Sequence, residues 1–163
     1  MRVLGIDPGF ALVGFGIVES RGSEVVPIDY GVIETTKDEV FSTRLAMIYE
    51  GVNTLIEKYN PDAIALEELF YFKNQKTVIP VAEARGVIVL SGKQHLGVLY
   101  EYTPLQIKQA LTGNGRAEKK QIQYMVQNIL GLEKIPKPDD AADALAVALT
   151  HLQTNNDICD NSF

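Results

Sequence analysis

The stretch Val3-Leu4-Gly5-Ile6-Asp7-Pro8-Gly9 decides how this chain is read. It is an almost wholly apolar run that ends in an acid and then breaks. A short apolar run bounded by turn residues reads as a strand buried on both faces. Pro8 and Gly9 stop it or turn it. Asp7 therefore sits at the end of a buried strand, where a sheet holds its carboxylate rigidly. Alone, such an acid before Pro-Gly is more often a turn cap, so a chemical role requires partners elsewhere in the chain.

Working outward, "FALVGFGIVES" (residues 10–20) alternates Val13, Phe15 and Ile17 with Gly14, Gly16 and Val18. Period two marks a strand, and the glycines leave one face open to close approach. "EVVPIDYGVIET" (residues 24–35) forms a third strand, placed at an edge by Pro27. The short spacers favour antiparallel hairpins. The period then changes: Leu45, Ile48, Tyr49, Val52, Leu55, Ile56 and Tyr59 recur at helical spacing up to Asn60-Pro61. "DAIALE" (62–67) is a short buried strand, residues 76–95 a helix, and "GVLYEYT" (97–103) a fifth strand. Thr103-Pro104 opens a short helix that ends in "TGNGRA" (112–117). Ile122, Met125, Val126, Ile129 and Leu130 mark another helix, and the last runs from "PDDAAD" (138–143) to about Gln153. The expected fold is α/β: a mixed five-stranded sheet, three strands antiparallel and then two parallel, flanked by helices. Residues 1–153 are expected to form one domain, with 154–163 a polar tail.

A 163-residue chain with 46% hydrophobic residues suits a globular protein. No apolar stretch reaches the length of a membrane span, and no signal-peptide segment opens the chain. A single cysteine, Cys159, excludes an internal disulfide, and a cytoplasmic protein is expected. The formal charge of −6 argues weakly against a polyanionic partner. Local distribution matters more than the sum. Residues 72–97 carry Lys73, Lys76, Arg85 and Lys93 against Glu83, and residues 104–121 carry Lys108, Arg116, Lys119 and Lys120 against Glu118.

The acids fall at the ends of elements. The first strand ends in Asp7, and the fourth ends in Glu67, with Glu68 following. The last helix opens with Asp139, Asp140 and Asp143, and the latter two share a helix face. Acids embedded in apolar sequence are costly unless paired or metal-bound. Caps and helix-dipole partners account for Asp139, Asp140 and Asp143 taken singly. As a set, carboxylates from three elements can hold hard divalent cations such as Mg²⁺ about 3.5–4 Å apart, the spacing of two-metal nucleases. There is no Cys/His metal pattern, no Ser/His nucleophile arrangement and no P-loop.

"GIDPG" (5–9), "ALEELF" (65–70), "EARGV" (83–87), "IKQALTGNGRAEKKQIQ" (107–123) and "DDAADALAVALTH" (139–151), in this order, resemble a RuvC-type Holliday junction resolvase across residues 3–151. The resemblance implies a ribonuclease-H-like fold, a homodimer and metal-dependent cleavage of four-way DNA junctions. It implies Asp7, Glu67, Asp140 and Asp143 as catalytic, metal-binding acids, with Asp139 left as a cap. Two Mg²⁺ ions per centre are implied, with Mn²⁺ a possible substitute. Phe70, in "LFYFKN", falls where the family sets an aromatic against DNA bases near the cut. Lys108 and Lys119 match lysines of the family, and Arg116 is grouped with them as a phosphate contact. A helix beginning near Lys119 would also offer free N–H groups to a phosphate. Asp157 and Asp160 make a DNA-binding tail doubtful.

The expected function is symmetric, metal-dependent cleavage of Holliday junctions in homologous recombination and DNA repair, in concert with a branch-migration helicase complex and no membrane. Two alternatives stand beside it: a catalytically inactive junction-binding module, and an ATP-dependent kinase-like member of the same superfold.

Overall fold

The computed structural model describes residues 1–69 and 78–154. Its sheet contains β1 (Arg2–Asp7), β2 (Leu12–Arg21), β3 (Glu24–Glu34), β4 (Ala63–Glu67) and β5 (Tyr100–Tyr102), in the order β3-β2-β1-β4-β5. β1, β2 and β3 pair antiparallel, while β4 runs parallel to β1 and β5 parallel to β4. The helices are α1 (Phe41–Tyr59), α2 (Val78–Leu96), α3 (Pro104–Thr112), α4 (Lys119–Ile129) and α5 (Asp139–Thr154). This is the expected mixed sheet in its ribonuclease-H-like arrangement. β3 lies at an edge, and Pro27 sits beside the register shift of its pairing with β2.

β5 is shorter than the expected 97–103. Gly97 takes a left-handed φ of 79° just after α2, and Thr103 caps α3 by accepting a hydrogen bond from the Gln106 amide at 3.1 Å. Both flanks of the apolar run are thus taken by helix ends.

The two faces of the sheet are built differently, because side chains alternate along each strand. Leu4, Ile6, Val13, Ile17, Ile64 and Leu66 point to one side and pack with Ile48, Val52, Leu55 and Ile88 of α1 and α2. Val3, Val18, Ala63 and Ala65 lie on the other side with Leu145, Ala148 and Leu149 of α5 and with residues of α3 and α4. On that side the inner strands carry Gly5 and Gly14. A Cβ on Gly5 would stand 2.1 Å from the Ala144 carbonyl oxygen, and one on Gly14 2.1 Å from the Asp140 carbonyl oxygen. α5 therefore lies almost on the sheet backbone. Since residues 3, 5 and 7 share a face, as do 63, 65 and 67, Asp7 and Glu67 turn toward α5.

Candidate active site

β1 and β4 run parallel and end together, in the register Ile6↔Leu66. Their last residues, Asp7 and Glu67, thus stand at one edge of the sheet on the α5 side. Asp7 pairs with Gly14, and the Asp140 backbone packs against that glycine. The first turn of α5 is brought over the strand ends, carrying Asp140 and then Asp143 one turn on. Close backbone contact between α5 and the glycines thus assembles the acids, although they come from distant parts of the chain.

The electrostatics are those of a crowded negative site. Burial first, then the charges of Glu67, Asp143 and Asp140, pushes the Asp7 carboxyl well above the usual carboxylate range, with Lys119 opposing. Burial and then Asp143 push Glu67 up to about 7, against the pull of Lys119 and Lys108. Burial also raises Asp143, although its hydrogen bond from Lys119 works the other way. Lys119 Nζ donates to Asp143 Oδ2 at 2.7 Å and lies 3.7 Å from Asp139 Oδ2. Burial acts to lower the Lys119 pKa, but that hydrogen bond and the charges of Asp143, Asp139 and Asp7 outweigh it and raise it.

The donor set fits a hard divalent cation. All four side chains offer oxygen only, and their mutual repulsion is what added positive charge relieves. The chemistry fits, but among the described residues no three carboxylate, imidazole or thiol side chains stand closely enough together to hold a metal ion.

Beside the acids lies a cleft of about 540 Å³ lined by Glu67, Pro104, Lys108, Arg116, Lys119 and Asp143. The structure thus brings Lys108, Arg116 and Lys119 into one concavity with two of the acids. Lys119 opens α4, but Glu118 already occupies the N-cap position, and its amide is held by Gln121 Oε1 at 2.7 Å. The expected phosphate at that helix start would therefore meet an acid. Asp139 stands at the start of α5 in ion pairs with Lys137 and Lys119. Phe70 lies outside the described residues. The Lys119–Asp143 contact escaped sequence reading: its partners are 24 positions apart, and no periodicity links them.

Comparisons with known proteins show the family. A family model described as "Crossover junction endodeoxyribonuclease RuvC" matches residues 3–151. A protein of that name from Caldicellulosiruptor saccharolyticus is 56% identical over 159 residues, covering 97% of this chain and 96% of its own length. Another, from Fusobacterium nucleatum, is 55% identical over 154 residues, covering 94% of this chain and 81% of its own length. The solved structure of Thermus thermophilus RuvC in complex with a Holliday junction substrate superposes with a TM-score of 0.89 at 35% identity, covering 95% of this chain and 94% of that one.

Proposed function

This chain belongs to the RuvC family of crossover junction endodeoxyribonucleases, and on that footing we propose that it resolves four-way Holliday junctions by hydrolysing one phosphodiester in each of two strands. The observation that carries the proposal is the meeting of acids from β1, β4 and α5 beside a cleft holding Lys108, Arg116 and Lys119.

In this reading Asp7, Glu67, Asp140 and Asp143 hold divalent cations, two Mg²⁺ or in their place Mn²⁺. Cations bound there supply activation of water and neutralise the charge that develops on the phosphate oxygens. The chain's own groups prepare the site. The Glu67 carboxyl holds a proton part of the time near neutral pH and releases it when positive charge enters. Lys119 keeps positive charge beside Asp143 and, with Lys108 and Arg116, draws the DNA backbone toward the acids. Phe70, two residues beyond Glu68, stacks on a base next to the cut.

A homodimer places two such centres about a twofold axis, matching the near-twofold symmetry of a junction. α2 supports self-association, because Ile79 and Leu90 stand 69% and 53% exposed on a helix whose other side is core. A branch-migration helicase complex in the cytoplasm completes the reading. No helix among the described residues is long and apolar enough to cross a membrane.

The test is direct. The purified protein is incubated with a synthetic four-way junction or a matched linear duplex, with Mg²⁺ or with EDTA. Paired symmetric nicks in the junction alone, absent with EDTA, are expected. Binding without cutting, across junctions of varied sequence, would instead make the chain a junction-binding module. Absence of any junction preference would overturn the proposal.

A further inference from the structure

A second cluster stands at the same edge of the sheet, on the flank away from Lys108 and Lys119, and the nuclease reading gives it no task. β3 runs parallel to β1, since both are antiparallel to β2. Its end at Glu34 therefore lies at the edge where β1 ends in Asp7, and α1 starts nearby. The Phe10 ring, three residues after Asp7, stacks on Phe41 with centroids 4.9 Å apart and planes inclined at 27°. The Arg44 guanidinium carbon lies 3.9 Å from the centre of the same Phe10 ring. Phe41 and Arg44, one turn apart on α1, both engage it.

The cluster is held firmly from below. Thr35, only 3% exposed, donates its hydroxyl to the Phe10 carbonyl at 2.7 Å and its amide to the Ala11 carbonyl at 3.0 Å. Arg44 Nε donates to the Thr35 hydroxyl at 2.9 Å. Only Nε of the guanidinium is used there, and among the described residues no carboxylate forms an ion pair with Arg44. Phe41 is 40% exposed and Val40 67%. Asp38 and Glu39 precede them as exposed acids, partly offset by Lys37. An anchored guanidinium with free N–H groups beside exposed aromatic surface matches a ligand that carries both anionic oxygens and flat apolar faces.

We infer that Phe10, Phe41 and Arg44 form a second DNA-contact ledge, with Arg44 taking a backbone phosphate and Phe41 the adjoining sugar and base of a strand running over the acids. This rests on the nuclease reading and extends it: the strand is gripped on both flanks of the carboxylates. Because Asp38 and Glu39 oppose a phosphate, the ledge adds about one phosphate contact and not a dominant share of affinity.

The test measures junction binding in EDTA over a range of salt for wild type, Arg44→Gln, Arg44→Lys, Phe41→Ala and, as control, Lys108→Ala. It also uses a photoreactive benzoylphenylalanine placed at position 41. Arg44→Gln should weaken binding about three- to tenfold and flatten the log–log salt slope by about 0.9, the value of one phosphate. Arg44→Lys should restore the slope. Phe41→Ala should weaken binding with the slope unchanged, and the photoreactive group should crosslink to a junction strand. A folded Arg44→Gln with the wild-type slope, together with no crosslink from position 41, would overturn the ledge. If Arg44→Gln does not fold, the crosslink alone decides, because position 41 is exposed. Failure of the nuclease reading looks different: wild type shows no junction preference and Lys108→Ala changes nothing.

Discussion

The two faces of the sheet bury apolar surface alike but are built for different tasks. The face toward α1 and α2 is made of large aliphatic side chains, such as Leu4, Ile6, Ile17, Ile64 and Leu66, which hold the helices off the strands. The face toward α5 is lined by Gly5, Gly14, Ala63 and Ala65, so that the α5 backbone meets the strand backbone. Large side chains give the first face its burial energy, while small ones give the second its closeness. Closeness brings Asp140 and Asp143 to the acids that end β1 and β4. The lesson is that stability and site geometry reside on opposite sides of one sheet.

Substitutions on each face test this division, and the largest effect is expected at the site. Glu67→Gln should cut junction cleavage by roughly a thousandfold or more, since transition-state charge stabilisation by bound metal is worth several kcal/mol. The same change should stabilise the metal-free protein. The Glu67 carboxyl, raised to about 7 in the fold, binds a proton that the unfolded chain releases nearer the ordinary glutamate value of 4.5. Its charge therefore costs stability above pH 7, and that cost vanishes as pH falls to 4.5. Denaturant melts at pH 8 and pH 4.5 should show a gain on the order of 2–3 kcal/mol at the first and none at the second.

Gly14→Ala ranks next. Its methyl would meet the Asp140 carbonyl oxygen at 2.1 Å, and backbone on both sides of the contact must give way. Cleavage should fall about a hundredfold, as expected when catalytic groups shift by about 1 Å, with about 1–3 kcal/mol of stability lost. Ile88→Ala, fully buried on the opposite face, should show the reverse pattern. About 2–5 kcal/mol of stability should go, while cleavage per folded molecule stays at the wild-type rate. Equal activity losses for both variants would break the comparison.

The far end of α5 is expected to affect stability in acid alone, with the smallest effect on cleavage. His151, 1% exposed, meets the Tyr102 hydroxyl through Nδ1 at 2.8 Å, and its Nε2 has no hydrogen-bond partner among the described residues. Burial lowers its pKa to about 4. The unfolded chain then binds a proton that the fold excludes, so stability is full above about pH 6.5 and is lost as pH falls toward 4. His151→Gln should remove up to about 3 kcal/mol of that acid loss, read from melts between pH 7 and pH 4. Glu67 at the site and His151 at the far end of α5 thus respond to pH with opposite signs.

Much of the division was legible in the sequence. The alternation of Gly14 and Gly16 with Val13, Phe15 and Ile17 announces a strand face prepared for close approach, and Pro27 announces an edge. What the sequence did not name is the partner, because nothing local links Gly14 to Asp140 across more than a hundred residues. The acids were legible as element ends, whereas the Lys119–Asp143 contact and the Arg44–Phe10 stack were not. Both are long-range meetings of side chains without a periodic signature. The ends of β5 were missed for a different reason. Residues 97–103 read as one apolar strand, but the backbone at Gly97 and the cap at Thr103 belong to the neighbouring helices.

The central claim is that α5, pressed onto the small-residue face, completes a divalent-cation site with the ends of β1 and β4. The most direct measurement is a Mn²⁺ titration of wild type and Asp7→Asn followed by electron paramagnetic resonance, without DNA. Wild type should bind the ion, and Asp7→Asn should bind it at least tenfold more weakly while remaining folded. Equal binding by the two proteins would contradict the account.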